Sequence, residues 1–178
     1  MLPDRRSSLR RVEFAGEPIL IEFRPCLRAW RGKLICGGER GDEVLAGSFL
    51  RERRIVLDAA LLDDAGERDR ILVHEIFHFV WWKLGPRLRA GYEELLRAEK
   101  ARGELGWSAE WRKQQLRAED WRRRTRRLKD YLCESFCDTA AAFLLEIPRH
   151  EEITLNARAR LARRTWMEES LGGRRLKI

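Results

Sequence analysis

Long apolar runs are missing from this chain, and their absence excludes several classes of protein. No stretch approaches the roughly 20 consecutive apolar residues that a membrane-spanning helix requires. Residues 1–11 are rich in arginine, but no apolar segment follows them, so they do not form a secretory signal. We therefore expect a cytoplasmic protein without a membrane span.

Cysteine is also scarce, with four residues at positions 26, 36, 133 and 137. In a chain without an export signal, these residues are expected to be free thiols and not a disulfide framework. Cys133 and Cys137 lie four residues apart on a predicted helix. We interpret both as small core residues, and thiolate coordination of a metal is the less favoured alternative.

Only three histidines are present, and two of them fall in the segment His74-Glu75-Ile76-Phe77-His78. Residues i and i+4 of a helix lie one above the other, so His74 and His78 present two imidazoles to one point, as Zn²⁺ binding requires. Glu75, about 100° further round the helix, is placed to act as a general base on a bound water. Apart from these three residues, positions 71–80 are uncharged, in a chain that is 37% charged. The alternative is a pair of buried histidines that satisfy each other within the core.

A catalytic zinc site typically has three protein ligands, and the best candidate for the third is Glu134. Glu134 and Asp138 are again four residues apart, on an apolar segment that is predicted to be helical. One carboxylate would bind the metal, and the other would accept a hydrogen bond from a ligand imidazole. The alternative is that both residues are ordinary surface acids.

These motifs resemble those of a known enzyme group. HEIFH followed by Glu-x-x-x-Asp resembles the gluzincin metallopeptidases, and residues 134–148 are more narrowly similar to the ImmA/IrrE-type peptidases. The resemblance implies a minimal zincin-like fold with zinc as the cofactor. It also implies that His74, His78 and Glu134 are zinc ligands, that Glu75 is the catalytic base and that Asp138 supports a ligand. The expected function is hydrolysis of peptide bonds in a peptide or protein substrate.

The order of predicted elements indicates an α+β protein with one domain over residues 1–178. Strand-like segments at 18–24, 29–36, 43–50 and 53–58 predict a sheet of three to four strands. A helix from about residue 67 to 84 carries the HEIFH motif, and a last helix covers about 156–170. Residues 1–12 are predicted to be a flexible basic arm, and residues 172–178 a frayed tail.

Residues 87–129 are predicted to be a helical hairpin added to the basic fold. Its second arm begins at Ser108 as the N-cap and continues without a break into the helix of Glu134. Three tryptophans share the apolar stripe of that arm, so we expect them to be buried: Trp107, Trp111 and Trp121.

The same arm has a strongly basic face, and the whole chain has a net charge of +8. Its basic residues are Arg112, Lys113, Arg117, Arg122, Arg123, Arg124, Arg126, Arg127 and Lys129. A solvated helix face is the favoured interpretation, and a surface for nucleic acid or another acidic partner is the alternative. The second function hypothesis is therefore a non-catalytic, zincin-like binding module that uses this Arg-rich helix.

The sequence offers few groups to stabilise an oxyanion during hydrolysis. The candidates are His150, which could also replace Glu134 as a ligand, and Tyr131, with Tyr92 no better placed. The alternative for His150 is an ordinary surface histidine, since it stands beside Glu151 and Glu152.

Overall fold

The protein is an α+β chain in which small sheets precede a group of helices. The computed structural model describes residues 12–99 and 101–178. The strands are β1 (Glu13–Ala15), β2 (Leu20–Arg24), β3 (Leu27–Trp30), β4 (Lys33–Cys36), β5 (Asp42–Glu43), β6 (Ala46–Phe49), β7 (Arg54–Asp58) and β8 (Arg175–Lys177). The α-helices are α1 (Ala65–Lys83), α2 (Pro86–Ala98), α3 (Trp107–Gln114), α4 (Ala118–Arg123), α5 (Arg126–Leu144) and α6 (Ala157–Leu171). A 3-10 turn over Ala59–Leu62 leads from β7 towards α1, and no helix in the described part of the chain is long and apolar enough to cross a membrane.

Strand β7 is the centre of the sheet that packs against α1. It pairs in parallel with β2 and antiparallel with β6, and its residues Ile55 and Leu57 are fully buried. A second sheet pairs β3 antiparallel with β4 and β5. The single predicted strand over 29–36 is a hairpin, because Arg31 and Gly32 both have positive φ, as a two-residue turn between antiparallel strands requires.

Helix α1 is buried from two sides, which explains why residues 71–80 carry no charged side chain besides those of the HEIFH motif. Ile76 and Phe79 pack with the sheet, in a cluster that includes Ile55 and Leu57. On another face, Phe77 packs in the main core, which α2, α5 and α6 complete with Tyr92, Leu96, Leu128, Leu132, Phe136, Met167 and Leu171. A helix in this position must be apolar nearly all round, so any polar group that it carries needs a partner.

The predicted unbroken arm is wrong, because three separate helices occupy its place. Residues 115–117 separate α3 from α4, and α4 ends at Arg124, whose φ is +50°. The Asp120 carboxylate accepts hydrogen bonds from the Arg117 backbone N–H and the Thr125 hydroxyl. These local bonds satisfy the groups at both ends of α4, so they stabilise short helices over a continuous one.

Two predictions for the ends of the chain had different outcomes. Most of the expected basic arm, residues 1–11, lies outside the described residues. The expected frayed tail is wrong, since β8 pairs in parallel with β1 and Leu176 is buried in the main core. The predicted last helix is present as α6.

The fully buried guanidinium of Arg163 joins α6 to the segment between α2 and α3. Arg163 of α6 donates to both carboxylate oxygens of Glu99, at 2.8 and 2.7 Å, and to Glu104 at 2.6 Å. Tyr131 of α5 donates to the other oxygen of Glu104 at 2.5 Å. Burial raises the pKa of Glu104, but the charge and hydrogen bond of Arg163, the charge of Lys113 and the hydrogen bond from Tyr131 together outweigh burial, so this pKa lies below its usual value. The Glu104 contribution to stability is therefore present at neutral pH and is lost as the pH falls through that lowered pKa.

We expect Arg163→Met to destabilise the protein by about 3 to 5 kcal/mol, because it leaves two buried carboxylates without their main partner. Arg164→Ala is the matched control, since Arg164 forms a half-exposed pair with Glu168 four residues on in the same helix. That change should cost less than about 0.5 kcal/mol. Chemical denaturation of both variants measures the difference, and equal losses would show that the Arg163 network is not a main source of stability.

Candidate functional site

Three donor atoms from two helices converge beside the sheet. His74 and His78 are one turn apart on α1, and their Nε2 atoms lie 3.2 Å from each other. The Glu134 Oε2 atom of α5 lies 3.3 Å from the first nitrogen and 3.8 Å from the second. The structure therefore brings together the three side chains that the sequence singles out as ligands, from positions far apart in the chain.

Asp138 contacts the His74 ring at Nδ1, the nitrogen that does not face Glu134. Its Oδ1 atom lies 2.7 Å from His74 Nδ1, one turn of α5 beyond Glu134. Its Oδ2 atom accepts a hydrogen bond from the Ala109 backbone N–H in the first turn of α3, at 3.1 Å. This carboxylate fixes the ring so that Nε2 points towards Glu134, and it joins α3 to the site.

The second histidine has a partner that the sequence analysis missed. The Nδ1 atom of His78 lies 3.3 Å from the sulfur of Cys133. A hydrogen bond from Cys137, together with the charge and hydrogen bond of His78, outweighs burial and lowers the pKa of the Cys133 thiol to about 6. The signal was present in the sequence, because Cys133 and Cys137 repeat, one residue earlier, the spacing of Glu134 and Asp138.

The Glu75 side chain is also held in place, by a residue of the sheet. Ser48 of β6 donates to Glu75 Oε2 at 2.5 Å, and its oxygen lies 3.1 Å from the Glu75 backbone carbonyl. The Glu75 side chain is buried beside His74. A serine in the middle of a short strand gives no sequence signal for this role, because only the packing of β6 on α1 creates the contact.

The electrostatics of the donor group favour a positive charge between the side chains. Burial raises the pKa of Glu134, but the hydrogen bond with His74 and the charges of His78 and Arg112 outweigh burial and lower it to about 2. Burial lowers the pKa of His78, yet Cys133 and the neighbouring carboxylates raise it to about 9. The pKa of His74 is raised well above its usual value, chiefly by Asp138 against the opposing effect of burial.

Cys137 also lies close enough to belong to a metal-binding group with the two histidines. One donor atom from each of these three residues falls within 4.8 Å of the others. Burial, however, raises the pKa of the fully buried Cys137 thiol well above its usual value, whereas Glu134 is ionised. Glu134 and Cys137 are therefore two candidates for the third donor, and the lowered pKa of Glu134 favours the carboxylate.

The oxyanion candidates named from the sequence have other hydrogen-bond or ion-pair partners, and their role stays a prediction. The Tyr131 hydroxyl is buried against Glu104, and the Tyr92 hydroxyl contacts Ser135 and Thr139. His150 Nε2 lies 3.4 Å from Glu67 and is not part of the donor group. A cationic group contacts one of the donor residues: Arg112 Nε lies 3.4 Å from Glu134 Oε1.

A cleft of about 330 Å³ opens onto His74 and Glu75. Its lining includes His74, Glu75, Asp138, Ser108, Trp107, Arg70, Ile71, Glu152 and residues 43–46. Strand β6 is an edge strand in the described part of the chain. The Asp58 N–H donates to the Leu45 carbonyl, and Ala46 pairs with Leu57, so the backbone groups of Ala46 and Ser48 point away from β7.

The basic residues of the predicted arm do not form one surface. Arg112 turns towards Glu134, Lys113 reaches Glu104, and Arg124 pairs with Glu93. The expected burial of all three tryptophans is also wrong, since Trp107 and Trp111 are 63% and 46% exposed. Only Trp121 packs against the main core. The break between α3 and α4 removes the single stripe on which that expectation depended.

Comparison with protein-family models, curated proteins and solved structures found no match to this chain.

The contact between Asp138 and α3 depends on the absence of a side chain at Gly106. A Cβ atom there would lie 2.4 Å from the Asp138 Cγ atom. We expect Gly106→Ala to displace the carboxylate and to lower the free energy of unfolding by about 1 to 3 kcal/mol through overpacking.

Gly85→Ala is the matched control, because a Cβ at Gly85 meets nothing within 4 Å and its φ is −64°. Thermal and chemical unfolding of the two variants measure the effect. An unchanged Gly106→Ala protein would show that the Asp138 carboxylate is not confined as described.

Proposed function

We propose that this protein is a zinc-dependent metallopeptidase of the zincin type, with the HExxH and Glu-x-x-x-Asp arrangement of the gluzincins. The ImmA/IrrE-type peptidases are the narrower resemblance. The observation that carries the proposal is the convergence of His74 Nε2, His78 Nε2 and Glu134 Oε2, with separations between 3.2 and 3.8 Å. A pair of buried histidines that merely fills space would not need a third, anionic group aimed at the same point.

The donor set fits zinc in chemistry and in size. Two imidazole nitrogens and one carboxylate oxygen are a known ligand set of catalytic zinc sites. Bonds of 2.0 to 2.1 Å in tetrahedral directions place neighbouring ligand atoms about 3.3 to 3.4 Å apart. The observed separations of 3.2, 3.3 and 3.8 Å are close to that spacing. Asp138 and Cys133 each contact the remaining ring nitrogen of one histidine, as supporting groups do in such sites.

Zinc, when bound, supplies a Lewis acid that polarises a peptide carbonyl and acidifies a water molecule. The protein supplies the proton transfers. Glu75 takes a proton from the attacking water and delivers it to the leaving amine, which fits its place next to His74 and its opening onto the cleft. Ser48 holds the Glu75 carboxylate in one orientation.

The substrate backbone would bind along β6. The outward backbone groups of Ala46 and Ser48 offer two donors and two acceptors to an extended peptide. Addition of a peptide to a free sheet edge supplies affinity through main-chain hydrogen bonds. Because Ser48 also touches Glu75, a peptide on this strand would pass next to the catalytic base.

The alternative, a binding module that uses the Arg-rich helix for nucleic acid or an acidic partner, has weaker support. Arg122, Arg123 and Arg126 are exposed, but each pairs with an acid of its own helix, Glu119 or Asp130. The two exposed tryptophans of the predicted arm, Trp107 and Trp111, could stack on bases, but they belong to α3, where Trp107 lines the cleft. The peptidase proposal accounts for the positions of more of these residues than the binding-module alternative does.

We expect Glu75→Gln to bind one equivalent of zinc and to lose peptidase activity, because the amide cannot accept the proton of the attacking water. Elemental analysis measures the zinc, and cleavage of fluorescein-labelled casein or of a quenched peptide library measures hydrolysis. Glu151→Gln, a change at an exposed glutamate, is the control and should retain both properties. A zinc-loaded wild-type protein that cleaves neither substrate would contradict the proposal.

The supporting role of Cys133 gives a separate prediction about the metal. Cys133→Ala removes the hydrogen-bond partner of His78 Nδ1 and should weaken zinc binding by about 10- to 100-fold. Competition with a chromophoric chelator measures the affinity, and Cys36→Ala, at an exposed thiol, should leave it unchanged.

Cobalt substitution distinguishes support from direct ligation. If Glu134 is the third ligand, the Co²⁺ protein should lack an intense near-ultraviolet sulfur-to-metal band. A band that disappears in Cys137→Ala would instead make Cys137 a ligand. A band that disappears in Cys133→Ala would overturn the supporting role of Cys133.

A further inference from the structure

An exposed tryptophan that lines the cleft, Trp107, stacks on a second exposed tryptophan, Trp111. Trp107 and Trp111 are one turn apart on α3, and their rings stack with centroids 6.2 Å apart and planes 21° apart. They are 63% and 46% exposed, although large aromatic side chains are usually buried. An exposed, contiguous aromatic surface of this kind commonly marks a binding site.

The position of this pair links it to the donor group. Trp107 and Ser108 line the same cleft as His74 and Glu75. Further along α3, Arg112 contacts Glu134, and its guanidinium carbon lies 5.4 Å from the centre of the Trp111 ring. One helix therefore carries both the aromatic pair and a contact to a proposed ligand.

Several hydrogen bonds hold α3 in place. The Trp107 backbone N–H donates to Glu152 Oε2 at 3.0 Å, and the Ala109 N–H donates to Asp138. Lys113 bonds the backbone carbonyls of Ala101 and Gly103. The tryptophans are therefore fixed relative to His74, as a preorganised binding surface requires.

Apart from Glu75, the charged groups that line the cleft are already paired, which leaves apolar surface for a ligand. Glu152 lies 2.9 Å from Arg70 and also accepts from Trp107, and Glu43 pairs with Arg28. The remaining lining near Trp107 includes Val44, Leu45, Ala46 and Ile71. A charged side chain would find no unpaired opposite charge among these groups.

We propose that Trp107 and Trp111 form a specificity subsite for a bulky apolar side chain, aromatic or long aliphatic, of the peptide substrate. This inference rests on the proposed peptidase function. In an extended peptide bound along β6, side chains alternate between two faces, so every second one can be directed towards α3. In this proposal, α3 forms one wall of the cleft.

The test uses zinc-loaded protein and a series of N-acetyl amino acid hydroxamates with benzyl, isobutyl and methyl side chains. The hydroxamate group chelates zinc, so binding does not depend on catalysis. Calorimetry should show the benzyl compound binding at least about tenfold more tightly than the methyl compound, because the aromatic ring is buried against tryptophan. In Trp107→Ala the ratio should fall below about threefold, and Trp107→Phe should restore most of it.

Trp82→Ala is the matched control, since Trp82 is also exposed, at 45%, but does not line the cleft. It should keep the wild-type ratio. Zinc content verifies that each variant retains the site, and Trp111→Ala serves as the second variant if Trp107→Ala does not fold.

A Trp107→Ala protein with the wild-type ratio, or a wild-type protein without side-chain preference, would overturn the subsite and leave the zinc site intact. A clear preference in a protein that hydrolyses no peptide would overturn the peptidase proposal and leave Trp107 and Trp111 as a binding site for apolar side chains without a role in peptide hydrolysis. If no hydroxamate binds to the zinc-loaded protein, both proposals fail.

Discussion

One carboxylate, that of Asp138, joins three helices. Its two oxygens point in different directions, one to a ring nitrogen of His74 on α1 and the other to a backbone N–H of α3. A buried carboxylate needs both interactions, since an unpaired oxygen in this environment would cost more than one hydrogen bond returns. The position of α3 over the cleft and the orientation of the His74 ring therefore follow from the same requirement.

Contacts on another face of α5 explain why this arrangement is rigid. Ser135 and Thr139 each follow a site residue in sequence, and both contact the Tyr92 hydroxyl in the interior. Arg163 donates to Ser135 and to Glu104, so a polar network locks the rotation of the helix about its axis. With that rotation fixed, Glu134 can face only α1. Charged residues in the interior thus set the geometry of the site, in addition to any effect on stability.

The sequence predicted the parts of the site that depend on spacing along one helix. His74 with His78, and Glu134 with Asp138, are pairs at i and i+4, and helical geometry alone brings each pair to one face. The contacts made by Ser48, Cys133 and Arg112 depend on how separate elements pack, and no local pattern encodes that. The sequence analysis did not predict the breaks in the long arm, because it relied on the apolar stripe. The weaker signal was Asp120 and Thr125, whose hydrogen bonds satisfy polar groups at the ends of a short helix. The expectation that tryptophans are buried failed for the same reason.

The pairing of β1 with β8 joins two segments from opposite ends of the described chain. Such a pair has no local contacts to help it form, so its loop-closure entropy must be offset by a core that already exists. Val12 and Leu176 pack on that core, and the Ile178 N–H bonds to the Ala15 carbonyl. This small sheet should therefore be among the last parts to assemble, and amide exchange at Ile178 would report on the integrity of the whole helical core.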